Sequence, residues 1–546
     1  MIAYLKNDKL RGGYYTPEVV ARWLAKWAIQ SPEDHVLEPS CGDGAFLAAT
    51  VQTMNEFGPA SENARLLGIE VFDKEAAKAR GKIAGAPFAT VETADFFEWV
   101  TRNRSEKFEA VVGNPPFIRY QNFPEPCRRM AMEIMKLSGL KPNKLTNIWV
   151  PFVVACIAML REGGRLAMVL PAELLQVTYA AQLRQHLADS FRRITIYACN
   201  EMFFEGAQQE VVLLAAEGKL PAANPQNRCN ISLLETNSVA ELLDIQPRTV
   251  NLGKRPKVVQ HDSEKWLKYF LSSREIGFMR SLREHPNVGT LGEYATVDVG
   301  VVTGKNDFFV LGSETVRAYE LRNFVVPLVG RSSQLSGAVL WERELIELSK
   351  NGSKVHLLHL SPHEGKGLPP NLRKLISEGE KRGDNEGYKC RIRNPWYNVP
   401  AVWQPDCFLF RQIYDFPRVV VNCAKATSTD TIHRMRCLEN PERVASNLYT
   451  HLTAASAEVE GRSYGGGVLE LEPTEAERLL VPRRMNGAMP IAEIDRLVRQ
   501  GQLSDVLDTN DRVVLHESLG LSRAECTLLK GIWTRMRDRR SARKRG

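Results

Sequence analysis

Long apolar runs are scarce in this 546-residue chain. The longest candidate, around Trp149 to Leu160, contains Pro151 and is followed by Arg161-Glu162-Gly163-Gly164, so it is too short to cross a bilayer. The opening residues, Met1 to Asp8, lack the basic-then-apolar order of a secretory signal. Both absences predict a cytoplasmic protein. Paired cysteines are missing as well. The ten cysteines, at 41, 127, 156, 199, 229, 390, 407, 423, 437 and 526, form no C-x-x-C pair. That spacing offers neither a zinc site nor a redox dithiol and leaves the thiols as small, reduced core residues. No metal site is expected, and there is no internal repeat.

What is present is ordinary globular material, 44% hydrophobic and 25% charged, at a length that suits two to four domains. The net charge of +8 is compatible with a nucleic-acid partner without requiring one. The stretch Arg535 to Arg545 concentrates six Arg and one Lys against one acid. Such a run either contacts phosphates or is a solvated helix end.

Residues 14 to about 217 alternate strands and helices. Val36-Leu37, Leu66 to Glu70, Phe88 to Val91, Phe108 to Val112, Arg165 to Leu170, Ile194 to Tyr197 and Val211 to Ala216 read as strands. Ala45 to Met54, Lys74 to Lys82 and Asn147 to Leu160 read as helices. This order predicts an α/β fold, a doubly wound, mostly parallel sheet covered on both faces. The turn-rich run from Pro221 to Asn227 opens a connector. From about 290 come short strands, including Ala295 to Val302, Phe308 to Leu311, Arg418 to Val421 and Thr431 to Met435, and the end is mostly helical. The expected divisions are 1–220 (α/β), 221–289 (connector), 290–482 (mixed α+β) and 483–546 (basic, helical).

Four motifs carry chemistry. The first, Val36-Leu37-Glu38-Pro39-Ser40-Cys41-Gly42-Asp43-Gly44, is a strand running into a glycine loop that opens a helix. It is a place where a ligand can approach the backbone, or a plain tight turn. The second is Glu70, 28 residues past Gly42 at the next strand end, where an acid can accept from both ribose hydroxyls of an adenosine group. The third is Ala94-Asp95-Phe96-Phe97. Asp95 can accept from an adenine amino group while a phenylalanine packs on the ring; equally, Asp95 can cap a helix with core aromatics behind it.

The fourth, Val112-Gly113-Asn114-Pro115-Pro116-Phe117, decides the reading. Consecutive prolines hold the backbone extended and leave carbonyls without ladder partners. The Asn114 side-chain oxygen and the Pro115 carbonyl can then accept from one NH2 group. An aromatic amine is a poor nucleophile because its lone pair is delocalised. Two acceptors favour sp3 character and aim that lone pair at an electrophile, so positioning supplies much of the catalysis. Phe117 offers a stacking face.

In this order the motifs resemble the gamma class (TaqI-like) of N6-adenine and N4-cytosine DNA methyltransferases, over about residues 1–217. The resemblance implies a methyl donor, S-adenosyl-L-methionine, and a double-stranded DNA substrate. It places Thr16 of Tyr15-Thr16-Pro17 at the cofactor's methionine carboxylate, and Glu38, Cys41 and Gly42 beneath the methionine part. Glu70 falls at the ribose, Val71 beside the adenine, and Asp95 with Phe96 around it. Asn114, Pro115, Pro116 and Phe117 become the catalytic motif, with Phe203 (or Phe204) a second aromatic on a flipped target base. Downstream, Lys305 and Asn306 in Val301 to Phe309, Arg391 and Arg393 in Arg391 to Tyr397, and Lys425 are candidate DNA contacts, although each can be an ordinary turn. The implied architecture is a cofactor domain followed by a target-recognition domain, with DNA in a basic cleft between them. The preferred target is adenine N6.

Other readings are weaker. A cytosine-C5 enzyme needs a supported nucleophilic cysteine, and Pro126-Cys127 lacks the flanking segments of that class. Glutamine methyltransferases of release factors share an N-P-P-aromatic motif but lack the roughly 330 residues that follow residue 217 here. A type I modification subunit, dependent on another chain for specificity, remains an alternative, as does N4-cytosine. No metal-dependent nuclease signature is evident, so DNA cleavage would fall to a separate restriction endonuclease.

Overall fold

A computed structural model describes residues 16–58, 61–143, 146–199, 210–247, 257–258, 265–360, 367–464, 466–483 and 487–542. The chain divides into two compact units, Met1–Ser273 (with Ala542–Gly546) and Arg274–Ser541.

The first unit is built on one nine-stranded sheet. Its elements run α1 (Glu18–Ala28), β1 (His35–Glu38), α2 (Ala45–Asn55), β2 (Arg65–Glu70), α3 (Asp73–Lys82), β3 (Ala89–Thr93), α4 (Phe96–Arg102), β4 (Phe108–Gly113), α5 (Glu125–Leu137), α6 (Trp149–Met159) and β5 (Leu160–Pro171). They continue through α7 (Glu173–Gln176), α8 (Ala181–Ser190), β6 (Phe191–Cys199), β7 (Val211–Lys219), β8 (Asn230–Thr236), α9 (Val239–Asp244) and β9 (Lys257–Val258). The strand order is β3-β2-β1-β4-β5-β7-β6-β8-β9. From β3 to β5 all pairs are parallel, while β7 runs antiparallel between β5 and β6. The doubly wound, mostly parallel sheet is therefore present.

Buried residues continue along β1, β2 and β4 without polar alternation, as expected of strands covered on both faces. Trp23 of α1 seals one edge of the core. Its indole N–H donates to the Ile245 carbonyl at 2.9 Å, and its ring meets Tyr197 edge-on at 4.6 Å. Strand order reverses between β1 and β4, the topological switch point where loops part and leave a crevice. The segment 221–289, read as a connector, supplies β8 and β9 to this sheet, and the second unit begins at Arg274. Turn residues at its start hid an apolar strand whose partner, β6, is remote in sequence.

The second unit is mixed α+β. One five-stranded sheet orders Ala295–Asp298, Ile432–Cys437, Cys407–Phe410, Val419–Asn422 and Val339–Leu340. The strand Val288–Thr290 pairs antiparallel with Leu480–Pro482, so the chain enters and leaves this region side by side. The expected strand Phe308 to Leu311 is mostly helical: Asn306–Phe309 forms a helical turn and only Val310–Leu311 is strand. Four apolar residues cannot distinguish the two by periodicity. The Thr303 hydroxyl, accepting from Lys305 N at 3.2 Å, starts the turn.

Over its described part the C-terminal run is tied down by ion pairs. The helix Arg523–Ala542 is clasped into the second unit. Arg535 pairs with Glu275, Arg537 with Asp415 at 3.0 Å, and the buried Arg540 with the buried Glu458 at 2.9 Å. Among the described residues no helix is long and apolar enough to cross a membrane.

Candidate active site

Three loops at the carboxyl ends of β1, β2 and β4 converge at the switch point. After β1, Gly42 and Gly44 adopt φ of +52° and +87°. A Cβ on Gly44 would lie 2.8 Å from Ala79 Cα, so glycine is required there for α2 to approach α3. Above Gly42 a Cβ would meet nothing within 4 Å, which leaves the turn open to a ligand. Cys41 is buried beneath the loop, its N–H donating to the Ile69 carbonyl at 2.9 Å.

Two carboxylates line this turn. Glu70 accepts from Gly42 N and Phe72 N at 2.9 Å each, which occupies two of about four acceptor positions. Burial pushes its carboxyl above the usual range, against the lowering effect of those N–H groups. Glu38 is buried, and its Oε2 has no hydrogen-bond partner among the described residues. Burial first, then the negative charges of Glu70 and Asp43, push its carboxyl well above the usual range. Such an orphaned, buried oxygen suits a cationic ligand. Val71 next to Glu70 leaves 42% of its surface exposed, an apolar shelf at the strand end.

Asp95 does cap α4, accepting from Phe97 N at 3.0 Å and Glu98 N at 3.1 Å. Its carboxylate also faces Cys127 of α5, whose thiol is pushed up to about 12 by burial and by Asp95. Phe96 is buried and stacks on Phe152 of α6 at 5.1 Å, and Phe97 is a core residue. Both readings of Asp95 are compatible, since a capping carboxylate keeps further lone pairs.

After β4 the chain passes into Asn114-Pro115-Pro116-Phe117. Asn114 Nδ2 donates to Thr16 Oγ1 at 3.2 Å, and Ser40 Oγ donates to the Asn114 carbonyl at 3.2 Å. The proline motif is thus tied to the N-terminal segment on one side and to the glycine loop on the other. Asn114 Oδ1 is buried, and among the described residues no backbone N–H donates to the Pro115 carbonyl. Phe117 packs partly against the core. The Ile118 carbonyl accepts from Ile148 N at 2.9 Å, anchoring the motif to the start of α6. Thr16, Glu38, Cys41, Gly42, Glu70, Val71, Asp95 and Phe96 all lie at the carboxyl ends of this sheet's strands, in what directly follows them, or on the segment tied to them; Tyr15, Phe203 and Phe204 lie outside the described residues.

In the second unit, Lys305 pairs at 3.6 Å with Asp384. Asn306 takes a hydrogen bond from Thr303 and opens the helical turn. Arg393 spends both terminal nitrogens on carbonyls, donating to Thr303 and to Val302 at 2.6 Å each, and so holds the loop. Arg391 is exposed. Lys425, also exposed, sits at φ +52° in a turn whose ends are held by the Asn422 side chain.

Against known proteins, residues 1–224 match the family described as N-6 DNA Methylase, and residues 263–515 match the C-terminal domain of the type II methyltransferase M.Eco57I. The chain is a restriction–modification type DNA methyltransferase, its first part an N-6 DNA methylase. It is 22% identical over 496 residues to the type II methyltransferase M.AccI of Acinetobacter calcoaceticus, covering 87% of this chain and 86% of that one. It is also 22% identical to M.XamI of Xanthomonas campestris pv. amaranthicola, with the same coverages. The solved Type IIL restriction-modification enzyme MmeI, in complex with DNA, shares the fold at TM-score 0.55 and 12% identity, over 98% of this chain and 76% of that one.

Two contacts of the methyltransferase carry no signal in the sequence. Ser40 stood inside a quoted motif, but its bond to Asn114 spans 74 positions. Phe152 belongs to a helix apolar on all sides, which reads as core. Cys127, set aside as a nucleophile by its flanking sequence, faces Asp95, and burial and that carboxylate push its thiol pKa up.

Proposed function

We propose that this methyltransferase moves a methyl group from S-adenosyl-L-methionine to the N6 amino group of an adenine flipped out of duplex DNA, at a specific site, as the cytoplasmic protecting half of a gamma-class restriction–modification pair. The observation carrying the proposal is the double tether of Asn114 to Thr16 and Ser40, which fixes the two-acceptor motif beside the Glu38–Glu70 turn. When bound, S-adenosyl-L-methionine supplies an electrophilic methyl group. The orphaned Glu38 oxygen, the open space over Gly42 and the exposed Val71 suit a cationic adenosine ligand.

In this reading Glu38, Cys41 and Gly42 line the methionine part and Thr16 its carboxylate. Glu70 accepts from the ribose hydroxyls, and Val71, Asp95 and Phe96 hold the adenine. Flipping brings the amine out of the stack. Asn114 Oδ1 and the Pro115 carbonyl accept its two hydrogens, Pro116 keeps the backbone extended, and Phe117 stacks on the base, with Phe203 as a second face. The amine proton leaves to solvent once the nitrogen is alkylated. Lys305, Asn306, Arg391 and Lys425 meet DNA, and Arg393 positions their loop.

Digesting treated DNA to nucleosides tests the reaction: N6-methyl-2′-deoxyadenosine is expected, and N4-methyl-2′-deoxycytidine would reassign the target. Site-specific methylation by the purified chain alone would exclude dependence on a partner subunit. Phe117→Ala should slow turnover roughly tenfold, the scale of one base–aromatic stack, and Phe117→Trp should slow it less. Two variants with wild-type rates would remove Phe117 from the base site.

Cofactor affinity should rise with pH. Because the folded pKa of Glu38 is raised, the empty domain binds a proton there that the unfolded chain has lost, and its stability falls as pH rises from the usual carboxylate value through the raised one. A cationic ligand favours the ionised carboxylate, so binding releases the proton over that window. Calorimetric titration in two buffers of different ionisation enthalpy should show the release, and Glu38→Gln should reduce it to what Glu70 contributes.

A further inference from the structure

Two apolar side chains stand out of the second unit where burial would be expected. Tyr388 is 66% exposed and Ile392 is 61% exposed. They lie four residues apart on and just past the helix Tyr388–Arg391, hence on one face. Val302, 39% exposed, belongs to the neighbouring loop. The two segments are locked together. Arg393 donates to the Val302 and Thr303 carbonyls, and a Cβ on Gly304 would fall 2.8 Å from Lys389 Cβ. The face is therefore rigidly presented.

Two cations, Lys389 and Arg391, flank it directly. Lys389 lies over the Tyr388 ring at 5.9 Å, and neither it nor Arg391 meets a carboxylate among the described residues. Of the neighbouring acids, Asp384 is buried and already shared by Lys305 and Arg382, while Glu386 and Asp307 are exposed and, among the described residues, make no ion pair with Lys389 or Arg391. A rigid apolar point rimmed by unneutralised cations is complementary to a nucleic-acid groove, in which base edges and stacked faces are apolar and the walls are phosphates.

We propose that Tyr388 and Ile392 form a wedge that enters a groove of the duplex and packs on bases, with Lys389 and Arg391 on the flanking phosphates. The proposal rests on the DNA-methyltransferase reading and adds the element that touches bases rather than backbone. Arg393 is a positioning residue for it.

The test uses the full chain and a duplex carrying the site it methylates, found by sequencing DNA exposed to the enzyme. Tyr388→Ala and Ile392→Ser should each weaken duplex binding about tenfold with the slope of log K against log salt unchanged, because no phosphate contact is lost. Arg391→Ala should weaken binding and reduce that slope by about one. Melting temperature and S-adenosyl-L-methionine affinity should stay at wild-type values in all three. Tyr388→Ala and Ile392→Ser variants that bind the duplex as wild type does would overturn the wedge and leave the DNA reading intact, as would a change in oligomeric state with unchanged DNA binding, which would make the face a protein interface. A loss of salt slope in Tyr388→Ala would also overturn it. A wild-type chain that methylates no DNA would sink the underlying reading instead.

Discussion

Asn114→Ala should lower the methylation rate by a factor of about 10² to 10³ while leaving S-adenosyl-L-methionine affinity within a few-fold of wild type. The magnitude is that of removing one preorganised hydrogen-bonding group aimed at charge that develops in the transition state. Here the charge is positive, on the amine nitrogen as its lone pair leaves the ring, and the lost group is an acceptor. The Pro115 carbonyl survives the substitution, so one acceptor remains. Cofactor binding is spared because Glu38, Glu70 and Asp95 stand on β1, β2 and the start of α4, away from the Asn114 side chain's hydrogen bond to Thr16. Asn114→Asp separates the two roles of the amide. It keeps an acceptor and loses the N–H that holds Thr16, so an intermediate rate is expected. Single-turnover rates with calorimetric cofactor binding make the check. Wild-type turnover in Asn114→Ala would remove the motif from the chemistry, and equal losses of rate and cofactor affinity would make Asn114 structural.

Most of this site was legible because its signals are local. A strand that ends in Pro39 to Gly44, an acid closing β2 and an acid opening α4 each declare themselves within a few residues. Their order supplies the sheet, since each strand in this part lies beside a parallel neighbour. What stayed hidden depends on distant partners. The Ser40 bond to Asn114 requires β1 and β4 to be adjacent, a property of the topology. Strand β8 lay beyond a turn-rich run, and nothing local distinguishes a strand that closes a sheet from a connector with a short apolar patch. Arg393 was read as a DNA contact because arginine near aromatics suits phosphate; its fork closing on two carbonyls depends on a loop 90 positions away. Charge runs are ambiguous for the same reason. The C-terminal arginines could be assigned to phosphate or solvent until Glu275 and Glu458, 260 and 82 positions from their partners, were placed against them.

That placement gives a large expected stability effect. Arg540→Ala should destabilise the second unit by about 3–5 kcal/mol, the usual result of leaving one member of a buried pair without its partner. Glu458 is the member left behind. Its two oxygens accept from Arg540 Nε at 3.0 Å each and from Nη2 at 2.9 Å, and the same guanidinium donates to the Gly467 carbonyl at 2.6 Å. Burial already raises the Glu458 carboxyl, and Arg540 is the first of the groups that lower it. Without Arg540 its folded pKa rises further above the unfolded value. The loss should therefore be smallest near the ordinary carboxylate pKa and deepen with rising pH, at most about 1.4 kcal/mol per unit, until the new folded pKa is passed. For a unit of this size the destabilisation corresponds to a melting temperature lower by roughly 6–20 °C. Arg540→Met with Glu458→Leu should recover most of it, because apolar replacement of a buried pair is often neutral. A half-buried member of the run gives the contrast: Arg537, paired with the exposed Asp415, should cost about 1 kcal/mol or less when replaced. Arg540→Ala melting like wild type would mean that the clasp carries no stability. A fall in the salt slope of DNA binding in Arg540→Ala, with its melting temperature unchanged, would return the arginine to the phosphates.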